Sequence, residues 1–465
     1  MIVALSALLS SNARKPTAGV VTAATPEASE AGAFILRKGG NAIDAAIAVA
    51  FALAVTESPM SGLGGGTQIL LSLKHHTPFA INGSTMSPAA TPVDALDTLT
   101  YHRRSTIPST VKVLEYTWRR YGSGKVAWAE LVAPAIRLAK EGFAVGAFRA
   151  KVYAQYAAVL QKSPYHTQFF FTEQGHIPTE GDWVKQPVLA QTLEAIASKG
   201  ADEFYRGRIA KQIAEDMARN GGWITYDDLS HFPDPVEHHA LNTQAGSYAL
   251  YSQPPPCGGW TMLMAHRLMH PPYADSLSVS AIVKALYLAH LDRKLRPITN
   301  LRDYGRDIAV KFSPAYLDSL YFTNLASEED ASKGGETTHF SVVDEYGNAV
   351  AVTASINAYF GAAAASPELG FLYNTYMDDF EFGQPGHPFA IRPHAQAYSS
   401  MSPTIVQQKG RNVLVLGSPG SSRIISSVAQ ITSQWMEEQD IVKQVAANRV
   451  HVNGQKIYLE TLRIP

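Results

Sequence analysis

The residues best suited to covalent chemistry are the hydroxyls of Thr337 and Ser355 and the carboxamide of Asn357, all within one stretch of the chain. From Glu336 to Asn357 that stretch reads as a β-hairpin. Phe340, Val342, Val350 and Val352 alternate with smaller or polar residues, and Asp344-Glu345-Tyr346-Gly347-Asn348 supplies a loop of turn formers. If Val343 faces Ala349, each cross-strand pair sums to the same index, so Thr337 falls opposite Ser355 and Asn357 lies two residues beyond on the same face. Two hydroxyls and a carboxamide then converge at the open end, the makings of a nucleophile site. Threonine and serine also decorate solvated strand faces, and the hairpin alone does not separate the two outcomes.

Other elements must position this hairpin. Residues Ala42 to Val55 are almost all small and apolar, too short a run to span a bilayer, and read as a buried helix. Asn41 caps it with Asp44 answering as the capping-box acid, while Gly39-Gly40 ends a preceding helix begun by Thr25 and Pro26. From Val111 to Asn220 the pattern is mostly helical; Ile209, Ile213 and Met217 recur at four-residue spacing and Asn220-Gly221-Gly222 closes that helix. Tyr248 to Tyr251, Thr404 to Val406 and Val413 to Gly417 read as short strands. His75-His76 and His238-His239 read as loop residues. Helices flanking stacked sheets predict a layered α+β architecture.

Composition narrows the chemistry. With 465 residues, 46% hydrophobic and 17% charged, the chain has enough apolar surface for a large core. A formal net charge of −1 and basic runs no longer than Arg103-Arg104 or Arg119-Arg120 argue against nucleic acid as a partner. The single cysteine, Cys257, permits no intrachain disulfide and no multi-cysteine metal site, and reads as a small turn residue. No H-E-x-x-H or clustered Cys/His spacing occurs among the 15 histidines, so neither metal nor cofactor is expected. Ile2 to Leu9 form an apolar run with no basic region before it. If residues 1–14 are a signal remnant the protein is periplasmic or secreted, and otherwise cytoplasmic.

Ordered motifs run from one end to the other: Gly19-Val20-Val21, Glu30-Ala31-Gly32, Leu36-Arg37-Lys38-Gly39-Gly40-Asn41-Ala42-Ile43-Asp44-Ala45-Ala46 and Ser61-Gly62-Leu63-Gly64-Gly65-Gly66. Asp202-Glu203-Phe204-Tyr205-Arg206-Gly207, Pro254-Pro255-Pro256, Thr337-Thr338-His339, Met377-Asp378-Asp379-Phe380, Ser399-Ser400-Met401-Ser402-Pro403-Thr404-Ile405 and Gly417-Ser418-Pro419-Gly420 follow. Together they resemble the γ-glutamyltranspeptidase family over roughly nine-tenths of the chain, far more specific than any one short motif. The resemblance implies the four-layer αββα sandwich of N-terminal-nucleophile hydrolases. It also implies a single inactive chain that cuts itself between Glu336 and Thr337, giving a large subunit 1–336 and a small subunit 337–465 intertwined in one domain.

On that basis Thr337 is the nucleophile and, once its α-amine is free, also the base; such an amine titrates near ~7.7–8. His339 is then expected to pack or to make a structural hydrogen bond. Attack on an amide carbonyl gives an acyl-enzyme resolved by water or by the amino group of an amino acid or peptide. Gly420 and Ser421 occupy the place of the family's oxyanion turn, Ser355 that of a second hydroxyl. Asn357 and Asp379 match residues that bind the α-amino end of a γ-glutamyl group, and Ser399 and Ser400 match a pair that binds the substrate carboxylate. The implied partners are a small γ-glutamyl substrate and the two fragments as a heterodimer, with no membrane span.

Departures from the family pattern bear on specificity. Ser84 stands where an arginine usually clamps the α-carboxylate, and serine cannot make a bidentate pair; Arg103-Arg104 reads first as a solvated basic pair, with substitution for the clamp from a neighbouring loop as the alternative. Tyr376 replaces a Glu or Gln, Ser355 a threonine and Ser421 a glycine. Family chains also continue past the point matching Arg449-Val450-His451, which predicts missing strands and an exposed sheet edge or an incomplete fold. Three readings are open at this stage: a γ-glutamyltransferase or hydrolase acting on amides such as glutathione, a related acylase for another acyl group, and an unprocessed inactive homologue.

Overall fold

A computed structural model describes residues 3–6, 19–93, 99–165, 170–298, 300–322, 335–381, 383, 385–387 and 389–460. Its strands are β1 (Val3–Ser6), β2 (Val20–Thr22), β3 (Gly66–Ser72), β4 (Phe79–Asn82), β5 (Phe143–Ala144), β6 (Trp183–Val184), β7 (Val236–His239) and β8 (Leu241–Ala245). Then come β9 (Tyr248–Ser252), β10 (Glu336–Val343), β11 (Ala349–Asn357), β12 (Thr404–Gln408), β13 (Arg411–Gly417), β14 (Val450–Asn453) and β15 (Lys456–Leu459). One sheet has the order β2-β10-β11-β3-β4-β7 and the other β1-β13-β12-β9-β8.

The two sheets stack through Leu70, Ala80, Ala349, Ala351, Ile405 and Val415, small enough on the first sheet to bring the layers close. Helices Pro26–Arg37 and Ala42–Thr56 cover the outer face of the first sheet, Trp128–Glu141 packs on Ala42–Thr56, and Pro187–Lys199 packs on Trp128–Glu141. Helices Gly259–Leu268 and Arg423–Glu438 cover the second, over Leu250, Val406, Leu414 and Leu416, and Val279–Leu295 packs against Gly259–Leu268. The result is the αββα sandwich expected of this α+β chain. The helical stretch from 111 to 220 and the strands at 248, 404 and 413 occur where the patterns put them. His238 and His239 do not lie in a loop: they end β7, paired with Ala80 and Phe79.

Past Arg449, where missing strands are expected, the chain forms the hairpin β14–β15. The edge of the second sheet beside β13 is taken by β1. Apart from the backbone of Val3–Ser6, the signal-remnant question falls outside the described residues. Among those residues no helix is long and apolar enough to cross a membrane.

Helix Ala42–Thr56 carries the hairpin. Every one of its residues is buried, and Asn41 accepts from the N–H groups of Ile43 and Asp44 while Asp44 accepts from Asn41 N–H at 3.0 Å, completing the capping box. The β10–β11 turn is tied to the start of this helix by Asp344, whose Oδ2 accepts from Ala42 N–H at 3.0 Å and whose Oδ1 accepts from Tyr346 and Asn348 N–H at 3.0 and 2.9 Å. Asp344→Ala strands these buried donors, and we expect a loss of about 3 kcal/mol, read as a lower denaturant midpoint with an unchanged slope.

Register holds as expected from Val343↔Ala349 down to Thr338↔Ala354 and then shifts, because Glu336 pairs with Asn357. Thr337 therefore has no single partner: it faces both Ser355 and Ile356. The extra residue on β11 is a β-bulge, which bends the strand and re-aims the side chains at its end. Asn357 meets it with a left-handed φ of +78°. Simple alternation through Ile356 gave no sign of this slip.

Candidate active site

Thr337 is 4% exposed and stands in the wall between two cavities of about 370 and 380 Å³. The first cavity is lined by Thr337, Ser355, Asn357, Asp379, Ser399, Ser400 and Ser421, so seven of the eight expected site residues come together there. Gly420, the eighth, lines the second cavity, with Glu57, Glu336 and Arg423.

Hydrogen bonds orient the group. The Ser355 hydroxyl donates to the carbonyl oxygen of Glu336, which belongs to the peptide bond joining Glu336 to Thr337, and accepts from Asn357 N–H at 2.7 Å. Asn357 Nδ2 donates to the Thr375 carbonyl at 3.1 Å, fixing the carboxamide. Tyr376 is also hydrogen-bonded to Ser355, and burial raises its phenol far above the ordinary range. Tyr376 and Asp379 sit on one short 3-10 turn, Tyr376–Asp379. That turn is hung on Asn374, whose Oδ1 accepts from Tyr376 and Thr106 N–H and whose Nδ2 donates to the Gly64 and Thr106 carbonyls. The glycine run at 64–66 is explained by this crowding: a Cβ on Gly65 would lie 2.2 Å from the Ser355 carbonyl oxygen.

At the Gly420-Ser421 turn both residues have positive φ, +114° and +55°. Ser421 thus adopts a left-handed backbone that favours glycine, at a strain of about 1–2 kcal/mol. Ser399 donates its N–H to the Pro256 carbonyl at 3.1 Å, and its own carbonyl accepts from Arg293 Nη2 at 2.9 Å. Cys257 sits in the turn after Pro254, 1% exposed, its thiol pushed up to about 12 by burial, which leaves it no thiolate at neutral pH.

His339 is structural, as expected. Its Nδ1 is bonded to Thr353 Oγ1 at 2.9 Å and its Nε2 to Ser341 Oγ at 3.0 Å, and burial pushes it down to about 3, a neutral ring. It fills the space a side chain on Gly417 would need, since a Cβ there would lie 2.2 Å from the ring.

Neither arginine proposed to replace the missing clamp reaches the first cavity's lining. Arg104 is paired with Asp378, and Arg103 donates to the Gly221 carbonyl at 2.9 Å. Ser84 is bonded to Asn82 and Gln68 and opens onto a space of only about 10 Å³. Cationic side chains in the first cavity come instead from Arg293 and Lys294, on helix Val279–Leu295. Sequence reasoning missed these, and it missed Glu57, 3% exposed, which accepts the Thr338 hydroxyl hydrogen. The signal for Glu57 was a carboxyl directly after a helix that is apolar from Ala45 to Val55.

Comparisons with known proteins fit this geometry. The family model described as Gamma-glutamyltranspeptidase matches residues 28–463. A "Glutathione hydrolase proenzyme" of Escherichia coli is 34% identical, over 89% of this chain and 77% of its own. Its counterpart in Pseudomonas aeruginosa is also 34% identical, over 93% of this chain and 82% of its own. Among solved structures, a cephalosporin acylase from Bacillus halodurans matches with a TM-score of 0.83 at 23% identity, covering 99% of this chain and 87% of that one, which is a likeness of fold. A Helicobacter pylori gamma-glutamyltranspeptidase matches with a TM-score of 0.60 at 26% identity, over 66% of this chain and 92% of that one.

Proposed function

This chain belongs to the gamma-glutamyltranspeptidase family, and from that premise we propose that it cuts itself between Glu336 and Thr337 and then transfers γ-glutamyl groups from amides such as glutathione to water, amino acids or peptides. The observation that carries this is the Ser355 hydroxyl donating to the carbonyl of the very bond to be cut, with Thr337 beside it. A carbonyl polarised in that way is the electrophile for the Thr337 oxygen. Attack forms an ester and breaks the C–N bond, the proton from the hydroxyl passing to the departing amine; water then hydrolyses the ester, leaving the Glu336 carboxylate and a free Thr337 amine.

In the mature site that amine takes the hydroxyl proton, the oxygen attacks the substrate's amide carbon, and the protonated leaving amine departs. Backbone donors at Gly420-Ser421 hold the oxyanion. Asn357 and Asp379 meet the α-amino end of the acyl group, Ser399 and Ser400 its carboxylate. The fragments 1–336 and 337–465 stay together as one domain, because β10 pairs with β2 and β11 with β3 in a single sheet. N-terminal sequencing of the purified protein tests this: a fragment beginning at Thr337 is expected. A protein that turns over amides with the 336–337 bond intact would falsify the scheme.

A second reading, an acylase for a different short acyl group, is favoured by one observation: Ser84 is turned onto Gln68 and Asn82, while Tyr376 adds an aromatic wall. Competing a γ-glutamyl anilide with glutaryl and oxalyl anilides separates the two. We expect γ-glutamyl to lead in kcat/KM by about tenfold, or ~1.4 kcal/mol of barrier; a lead for glutaryl moves the assignment to the acylase.

A further inference from the structure

Outside the groups used above, the nearest chemistry to the nucleophile is a buried carboxyl. Glu57 closes helix Ala42–Thr56, lines the second cavity with Thr337, and accepts the hydroxyl hydrogen of Thr338, the residue peptide-bonded to the nucleophile. Resting on the self-cleavage just described, we propose that Glu57 is a positioning residue of the nucleophile: through Thr338 it holds the backbone on which the amine is released, and its negative charge sets that amine's proton affinity.

Among the described residues little balances the charge of Glu57 in the uncut chain. Arg149, on the neighbouring helix Ala147–Lys162, is the cation among them that faces it, and Arg149 is already shared between the Glu27 carboxylate at 3.4 Å and the carbonyls of Thr56 and Ala144. Tyr359 faces it from the loop after β11, and Glu336 and Arg423, paired with each other at 3.0 Å, share its cavity. His339, on β10, lines the same cavity as a neutral ring, and His451, on β14, is pushed down to about 4 by burial and by Arg423, neutral as well. Burial dominates, pushing the Glu57 carboxyl up to about 7, with the Thr338 hydrogen bond and Arg149 opposing.

Cleavage changes that balance, because it creates an ammonium group on the residue bonded to Thr338, together with a carboxylate on Glu336 at the end of the other fragment. An opposite charge close by favours the charged form of both groups. The pair then titrates together, with the amine's step moved upward and the carboxyl's downward. The active form of the nucleophile needs a neutral amine, so Glu57 moves the acidic limb of kcat/KM toward higher pH.

Two variants test this on the processed full-length protein. Glu57→Gln keeps an acceptor for Thr338 and removes the charge; the acidic limb is expected to move to lower pH by about one unit. Thr338→Val removes the hydrogen bond that keeps Glu57 ionised, so its limb moves in the same direction by a smaller amount, and it carries the test should the glutamine variant fail to process. A purely structural Glu57 would lower the amplitude of the profile and leave the limb in place; an unmoved limb in processed variants overturns the assignment. A native protein without Thr337-dependent turnover would instead bring down the function on which it rests.

Discussion

Thr337→Ala is expected to yield one uncut chain with no measurable amide turnover. The alanine removes the only group that attacks in both the cut and the acyl transfer, so the two losses must appear together. Loss of an activated nucleophile of this kind typically lowers kcat by a factor on the order of 10⁶. On a denaturing gel the native protein should run as two fragments and the variant as one. Thr337→Ser provides the control: it keeps both the hydroxyl and the amine, so it should cut and turn over, more slowly. Two fragments from the alanine variant would exclude Thr337 as the processing nucleophile.

The next largest effect is expected at Ser355. Its hydroxyl donates to the Glu336 carbonyl and accepts from Asn357 N–H, so it both polarises the bond to be cut and holds the bulge in shape. Removing one preorganised donor to a developing oxyanion is worth about 2.7–4 kcal/mol, or roughly 10²–10³ in rate. Ser355→Ala should therefore accumulate precursor, with processing slowed by that factor in a time course after purification. Ser355→Thr should restore it, since the hydroxyl returns with a stiffer side chain. An alanine variant that processes at the native rate would assign the polarisation to another group.

Local patterns made much of this legible. The hairpin, its turn, the capped buried helix and the glycine-closed helices are written in spacings of two and three to four residues, and each formed where those spacings put it. The site residues were reached differently, through ordered motifs, because Asp379, Ser399 and Ser421 meet Thr337 only in the folded cavity, from segments distant in sequence. What stayed hidden depended on distance in sequence. Glu57 and Thr338 are 281 residues apart, and Arg293 reaches the Ser399 carbonyl across 106. The bulge was hidden for the opposite reason: Ser355-Ile356-Asn357 continues the alternation, and only the left-handed Asn357 betrays the extra residue. The absence of an arginine at position 84 was plain from the sequence, whereas the side chains that turn Ser84 aside, Gln68 and Asn82, were not.

Helix Ala42–Thr56 grips the nucleophile strand twice, at Asp344 by its first residue and at Thr338 through Glu57 just past its last. The strand between those grips spans about 20 Å and the helix about 22 Å, from their respective rises per residue. Rod and ribbon are thus cut to one length, like the two rails of a ladder pinned at top and bottom. One amino acid added to the helix would lengthen that rail by about 1.5 Å and swing everything beyond it through roughly 100°. The reactive hydroxyl would then lose its registration even though no atom near it had been changed, so drift in sequence can alter what this helix is made of far more freely than how long it is.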